Sequence, residues 1–146
     1  MRLDELFNQP LPWKNISRPK PPGAMAVRRF SFNAGENLYE VWISGNRHWS
    51  IQFDLVGIGH GIYNTGHAFE VFTTVIDIIK TSVVKELPDT FSFSARTNQP
   101  SRVKLYKRMV ESLGKDIQDY VFSFDDDSFR DLTFNFTRKD FVPDDE

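Results

Sequence analysis

The sequence predicts an α+β domain (mixed α/β), in which a mixed, mostly antiparallel sheet carries helices packed on it. Three observations carry this expectation. Residues 27–55 alternate apolar and polar positions between short turn sequences, as a strand meander does. From about Ala68 to Lys85 the apolar residues instead recur at helical spacing. A strand-like run, a second helical pattern and two more strand-like runs follow. The predicted order is three strands, helix, strand, helix, two strands.

The first 23 residues hold five of the eight prolines, in NQPLPWK and SRPKPPG. Proline lacks the N–H that helices and central strands need, so an extended or irregular arm is expected over residues 1–23. Leu3, Leu6, Phe7, Leu11 and Trp13 can pin it to the domain expected over 24–140, and 141–146 reads as an acidic tail. Val27, Phe30 and Phe32 begin the meander and NAGEN turns it. Leu38 to Ile43 return, Ser44-Gly45-Asn46 turns again, and Trp49, Ile51, Phe53 and Leu55 alternate with polar residues. A glycine-rich run, GIGHGIYNTGHA, then leads into the first helix. There Phe69, Phe72, Val75, Ile76, Ile79 and Val83 share one face, with Glu70, Thr73, Asp77 and Lys80 largely on the other. Pro88 closes this helix, and TFSFSAR reads as a buried strand, expected to lie parallel to the strand at 48–55. The second helix opens at Pro100-Ser101 with Ser101 as its expected cap, and Gly114 is placed to end it. Tyr120 to Phe124 and Leu132 to Thr137 are the last strands, joined by DDDSFRD.

Composition narrows the function classes. Aromatic residues make up 14% of the 146 residues, with 14 Phe among them, enough for a sizeable core. No apolar run approaches the roughly 18 residues of a membrane span, and the N-terminus has acids where a secretion signal needs an apolar stretch. A soluble cytoplasmic protein is the expectation. Without cysteine there is no disulfide scaffold, thiolate nucleophile or cysteine-held metal. The net charge of −2 is unevenly spread, because residues 95–115 carry six basic side chains and one acidic, and residues 116–146 three and ten. A solvated helix face explains this, and so does an anionic ligand near residues 96–108.

Two local motifs and the element order resemble the GCN5-related N-acetyltransferase (GNAT) fold over roughly residues 27–138. In that family a pyrophosphate loop of the form Gln/Arg-x-x-Gly-x-Gly/Ala precedes the first core helix. Here Tyr63-Asn64-Thr65-Gly66-His67-Ala68 stands at that position, with Tyr63 in place of Gln or Arg. Gly66 lets the backbone approach a phosphate, Ala68 adds little bulk, and the helix N-terminus faces the anion. The resemblance implies acetyl-CoA (acetyl-coenzyme A) as cofactor, held by Asn64, Thr65, Gly66, His67, Ala68 and Phe69. A tight strand-to-helix turn is the alternative reading of the same residues. The second motif is Asn98 to Tyr106, ending in Leu105-Tyr106. The matching family tyrosine often protonates the departing thiolate of coenzyme A, so the resemblance gives Tyr106 that role; a core aromatic is the alternative. The strings VFTTVIDIIK, FSFSA and SRVKLYKRM also resemble small proteins of tailed bacteriophages, which implies action in a bacterial cytoplasm.

His60 and His67 flank the glycine-rich loop, where a neutral imidazole can take a proton from an amine. Glu40 and Asp54 are further candidate bases, on strands that line the acceptor cleft in the resembled family. No spacing of His, Asp or Glu supports a metal site, and Asp125-Asp126-Asp127 lacks the pattern of a calcium loop. Arg102, Lys104, Lys107 and Arg108 can meet phosphates, yet overall acidity and the lack of a recognised motif argue against nucleic acid. Two functions compete. One is an acyltransferase with Tyr106 as acid and Glu40 or His60 as base. The other is an inactive GNAT-like protein that captures a host bacterial protein. A homodimer is compatible with either.

Overall fold

The computed structural model describes residues 10–55, 59–60, 68–96, 100–125 and 131–141. The expected meander forms as β2 (Val27–Ala34), β3 (Asn37–Ser44) and β4 (His48–Leu55), paired antiparallel in sequence order. Gly45 makes the second turn at φ 118°, where a Cβ would fall 2.1 Å from the His48 carbonyl oxygen, so only glycine fits. Helix α1 (Ala68–Glu86) follows, then β6 (Thr90–Arg96), α2 (Pro100–Asp116), β7 (Tyr120–Asp125) and β8 (Asp131–Arg138). The predicted order is therefore found, with two additions. The proline-rich arm contributes a short strand, β1 (Trp13–Asn15), and residues 59–60 form β5 (Gly59–His60).

The sheet runs β1-β2-β3-β4-β6-β8-β7, with β5 paired to β4 off this path. All pairings are antiparallel except β4 with β6, which is parallel as expected, with α1 as the crossover. Register separates the two faces cleanly. Phe30, Phe32, Tyr39, Val41, Ile43, Trp49, Ile51, Phe53, Phe91, Phe93, Phe134 and Phe136 share the inner face, and all are buried. Both helices lie on it. Phe72 of α1 meets Phe53 edge-on at 6.0 Å, and Lys107 of α2 stands over the Phe124 ring. The outer face is polar: Ser44, Ser50, Ser92, Asn135 and Ser123 form one row across five strands.

Local reading erred at three residues. Helix α2 begins at Pro100, where the missing N–H costs nothing, so Ser101 lies inside the first turn rather than at the cap. Gly114 does not end α2, which continues to Asp116. A Cβ at Gly114 would come 2.8 Å from the Phe122 ring, so glycine there lets the ring lie against the helix. Thr73 is buried rather than solvent-facing, because α1 packs against both the sheet and α2. The end of α1 matches expectation: Leu87 turns at φ 50° and donates its N–H to the Val83 carbonyl, and Pro88 follows.

Leu11 and Trp13 tie the described part of the arm to α1. Trp13 Nε1 donates to Asp77 Oδ2 at 2.9 Å, and the Leu11 N–H donates to Thr74 Oγ1 at 2.8 Å. At the end of the sheet where β6 begins, an ionic cluster joins three elements. Asp89 accepts from Arg47 Nε at 3.1 Å and pairs with Arg138 at 2.9 Å, while the Tyr120 hydroxyl donates to the Pro88 carbonyl. The Arg47 hydrogen bond holds the Asp89 carboxyl below its ordinary pKa, and burial pushes the Tyr120 phenol up to about 12. The signs of the two linkages are opposite. A lowered Asp pKa gives stability that is complete above its unfolded value near about 4 and is lost as pH falls through the folded value. A raised Tyr pKa gives stability that is complete below about 10 and is lost as pH rises towards 12. Urea midpoints measured from pH 3 to 12 should therefore fall at both ends. Asp89→Asn should flatten the acid limb alone, and Tyr120→Phe the alkaline limb alone.

Candidate functional site

The parallel pair is short. His48–Ile51 pairs with Thr90–Phe93, after which β4 runs on with β3 to Leu55 and β6 runs on with β8 to Arg96. The sheet therefore forks beyond Ile51 and Phe93. Because α1 returns to the start of β6, its N-terminus at Ala68 lies at the forked end, and α2 begins there too, four residues after Arg96. Two helix N-termini lie at the same end of the sheet, with Arg96, Arg102 and Lys104 in the adjoining backbone. Two positive helix ends at one end of the sheet suit an anionic ligand.

Three of the sequence-predicted site positions fall into one row at this end. Ser31 pairs with Glu40, Glu40 with Asp54, and Asp54 with His60. Since Asp54 uses one backbone edge for β3, β5 takes the opposite edge, the one β6 has left. Glu40 is already engaged: its Oε1 accepts from Arg29 at 2.9 Å and from Trp42 Nε1 at 3.1 Å. The Arg29 guanidinium also stacks over the Trp42 ring, 4.3 Å from its centroid. Arg29 and Trp42 escaped the sequence reading, although alternation along their strands puts them on the same face as Glu40.

The remaining predicted residues are placed unevenly. Ala68 and Phe69 begin α1, and Tyr106 lies in the second turn of α2, four residues before the buried Val110, but the side chains of all three lie outside the described residues. Asn64, Thr65, Gly66 and His67 lie outside them entirely, as do Asp126 and Asp127. His48 is elsewhere, hydrogen-bonded to Thr90 Oγ1 at 2.8 Å at the unforked end.

Two buried hydroxyls bear on whether a polar cofactor fits. Tyr39, whose strand partner is Leu55, has its Oη fully buried, and Thr73 sits in the second turn of α1. Neither hydroxyl has a hydrogen-bond partner among the described residues. An unsatisfied buried hydroxyl costs roughly 1–3 kcal/mol. The two helix ends suit the phosphates of such a cofactor.

The strand order, the single parallel pair and the crossover helix define a GNAT-like fold. No family model matches the chain, and neither does any curated protein. Among solved structures, it is similar to a spermidine N-acetyltransferase chimera from Vibrio cholerae and hSSAT, at 16% identity and a TM-score of 0.44, covering 77% of this chain and 68% of that one. A mutant of the Vibrio cholerae spermidine N-acetyltransferase follows, at 15% identity and a TM-score of 0.41, covering 77% and 66%.

Proposed function

We propose that this protein is a GNAT-like N-acyltransferase that moves an acetyl group from acetyl-CoA to an amine. The observation that carries the reading is the fork between β4 and β6 with two helix N-termini at its mouth. The thioester supplies an activated acyl carbon. The loop Asn64–His67, with Ala68 and Phe69 at the start of α1, holds the pyrophosphate, and the free N–H groups of the first turn receive its charge. Catalysis then consists mainly of positioning an amine beside the acyl group.

The row Glu40–Asp54–His60 supplies the candidates for removing the amine proton. Glu40 is held by Arg29 and Trp42 at one end of the row. His60 is the position whose ordinary pKa near neutrality suits removal of an amine proton. Tyr106 serves as the acid towards the leaving sulfur. The phage resemblance supports action in a bacterial cytoplasm and leaves the acceptor amine open, a host protein included.

Calorimetry of the purified chain with acetyl-CoA tests the reading. Saturable binding is expected, and Gly66→Val should weaken it while leaving the circular dichroism and the unfolding midpoint unchanged. No heat of binding at millimolar cofactor overturns it.

A further inference from the structure

The connection from β1 to β2 covers residues 16–26, where antiparallel neighbours need only about two to five residues. The buried core takes no residue from it, and every residue from 17 to 23 is exposed. Both ends are nevertheless fixed. The Ile16 N–H donates to the Arg29 carbonyl at 2.8 Å, and the Arg29 N–H donates to Ser17 Oγ at 2.9 Å. At the other end the Ala24 N–H donates to the Pro21 carbonyl at 3.1 Å, with Gly23 at φ 80°. Pro22 and Gly23 are thus the centre of a type II turn, which needs glycine's freedom at its second central position.

Between these anchors every residue is restricted. Pro19, Pro21 and Pro22 are locked by their own rings. Arg18, Lys20 and Pro21 each precede a proline, which pushes them out of the helical region towards polyproline II. The type II turn asks the same extended backbone of Pro22. Residues 18–22 therefore form one short stretch held near polyproline II, a left-handed helix of three residues per turn. That period puts Pro19 and Pro22 on one edge, Arg18 and Pro21 on a second, and Lys20 on the third. Neither Arg18 nor Lys20 enters an ion pair among the described residues.

We infer that this loop is a polyproline ligand for another protein, whose groove is lined by aromatic rings and flanked by carboxylates. A segment already restricted to its bound conformation loses little freedom on docking. The two proline-bearing edges lie against the rings. Arg18, at the end of the Pro21 edge, meets the acidic flank, and Lys20 stays in solvent. Charge argues against a membrane or a nucleic acid as the partner. Arg28 is paired with Glu86 and Arg29 with Glu40, which leaves Lys14, Arg18 and Lys20 near the loop. A lipid-binding cluster takes roughly four to eight basic residues. β2 starts opposite Ser44 and ends opposite Asn37, so the loop lies at the unforked end of the sheet. A docked partner leaves the fork open.

Titration calorimetry of the full chain against a panel of purified SH3, WW and EVH1 domains tests this. At least one domain should bind saturably, and its addition should shift the amide signals of Arg18, Lys20 and Gly23 but not those of α1. Pro19→Ala/Pro22→Ala should weaken that complex at least about tenfold, the scale of a lost anchor residue. Its circular dichroism should be unchanged, because both prolines are exposed. Arg18→Glu should weaken the complex as strongly, and Lys20→Glu by less than about twofold. No binding by any domain at millimolar concentration overturns the inference, as does a complex that the proline variant leaves intact. Equal losses from Arg18→Glu and Lys20→Glu overturn it too, since they mark a basic patch without edge-specific contact. So does tighter binding to phosphatidylserine vesicles than to any domain. Acetyl-CoA is in none of these mixtures, so the result is independent of the proposed activity.

Discussion

Tyr106→Phe is expected to lower acetyl transfer to an amine by about a hundredfold or more, with acetyl-CoA affinity changed by less than about twofold. A phenol can donate a proton to the sulfur as it leaves, and phenylalanine keeps the ring but removes the donor. The position suits the role, because α2 begins at the forked end of the sheet and Tyr106 lies in its second turn. The contrast between turnover and affinity separates chemistry from packing. Loss of the hydroxyl alone does not remove the ring from the helix, so the unfolding midpoint should stay close to that of the wild type. Turnover that survives in the variant identifies Tyr106 as a packing residue beside Val110. A chain that binds a host protein yet transfers no acetyl group supports the inactive, capturing reading instead. Single-turnover kinetics with a thiol-reporting dye measure the step directly.

The largest stability loss is expected from Phe91→Ala. Phe91 is 1% exposed, stacks on Phe136 at 4.5 Å and meets Tyr120 edge-on at 5.3 Å. It is also the partner of Trp49 in the short parallel pair. Deleting such a ring costs about 3–5 kcal/mol, since the neighbours only partly collapse into the space. Against a total of roughly 5–15 kcal/mol for a domain, that is a large share. For a chain of this length the unfolding midpoint should drop by roughly 6–20 °C. Phe91→Leu keeps most of the volume and should cost well under half as much. A drop of only a degree or two for the alanine variant would show that the ladder contributes little beyond what its neighbours already supply.

The meander and the parallel pair were legible because their signals are local. Alternation in 27–55, the turn at Gly45 and a helix-length segment between two strands leave little choice of topology. What escaped depends on contacts distant in sequence. Gly114 looks like a helix terminator when only its neighbours are read, yet its smallness serves a ring on the next strand. Thr73 looks solvent-facing if the helix has one buried side, but α1 has two. Strands of three and two residues, β1 and β5, are too short to show any period. The candidate site was half legible. Glu40, Asp54 and His60 stood out by residue type, but only register puts them in one row, and nothing in the sequence announces that Arg29 and Trp42 share the Glu40 carboxylate.

The short parallel pair also makes the chain severable. Every strand before α1 belongs to one arm of the fork and every strand after it to the other, so the backbone passes between the arms once. A nick in the turn Leu87–Asp89 would leave two fragments, each with a complete antiparallel half-sheet. What would hold them together is four residues of parallel pairing on each side, the ionic cluster at Asp89 and the apolar flank of α1 against α2 and the sheet. The protein is built as two pieces of contiguous sequence clasped by one helix, a design that split reporters and two-gene expression can exploit.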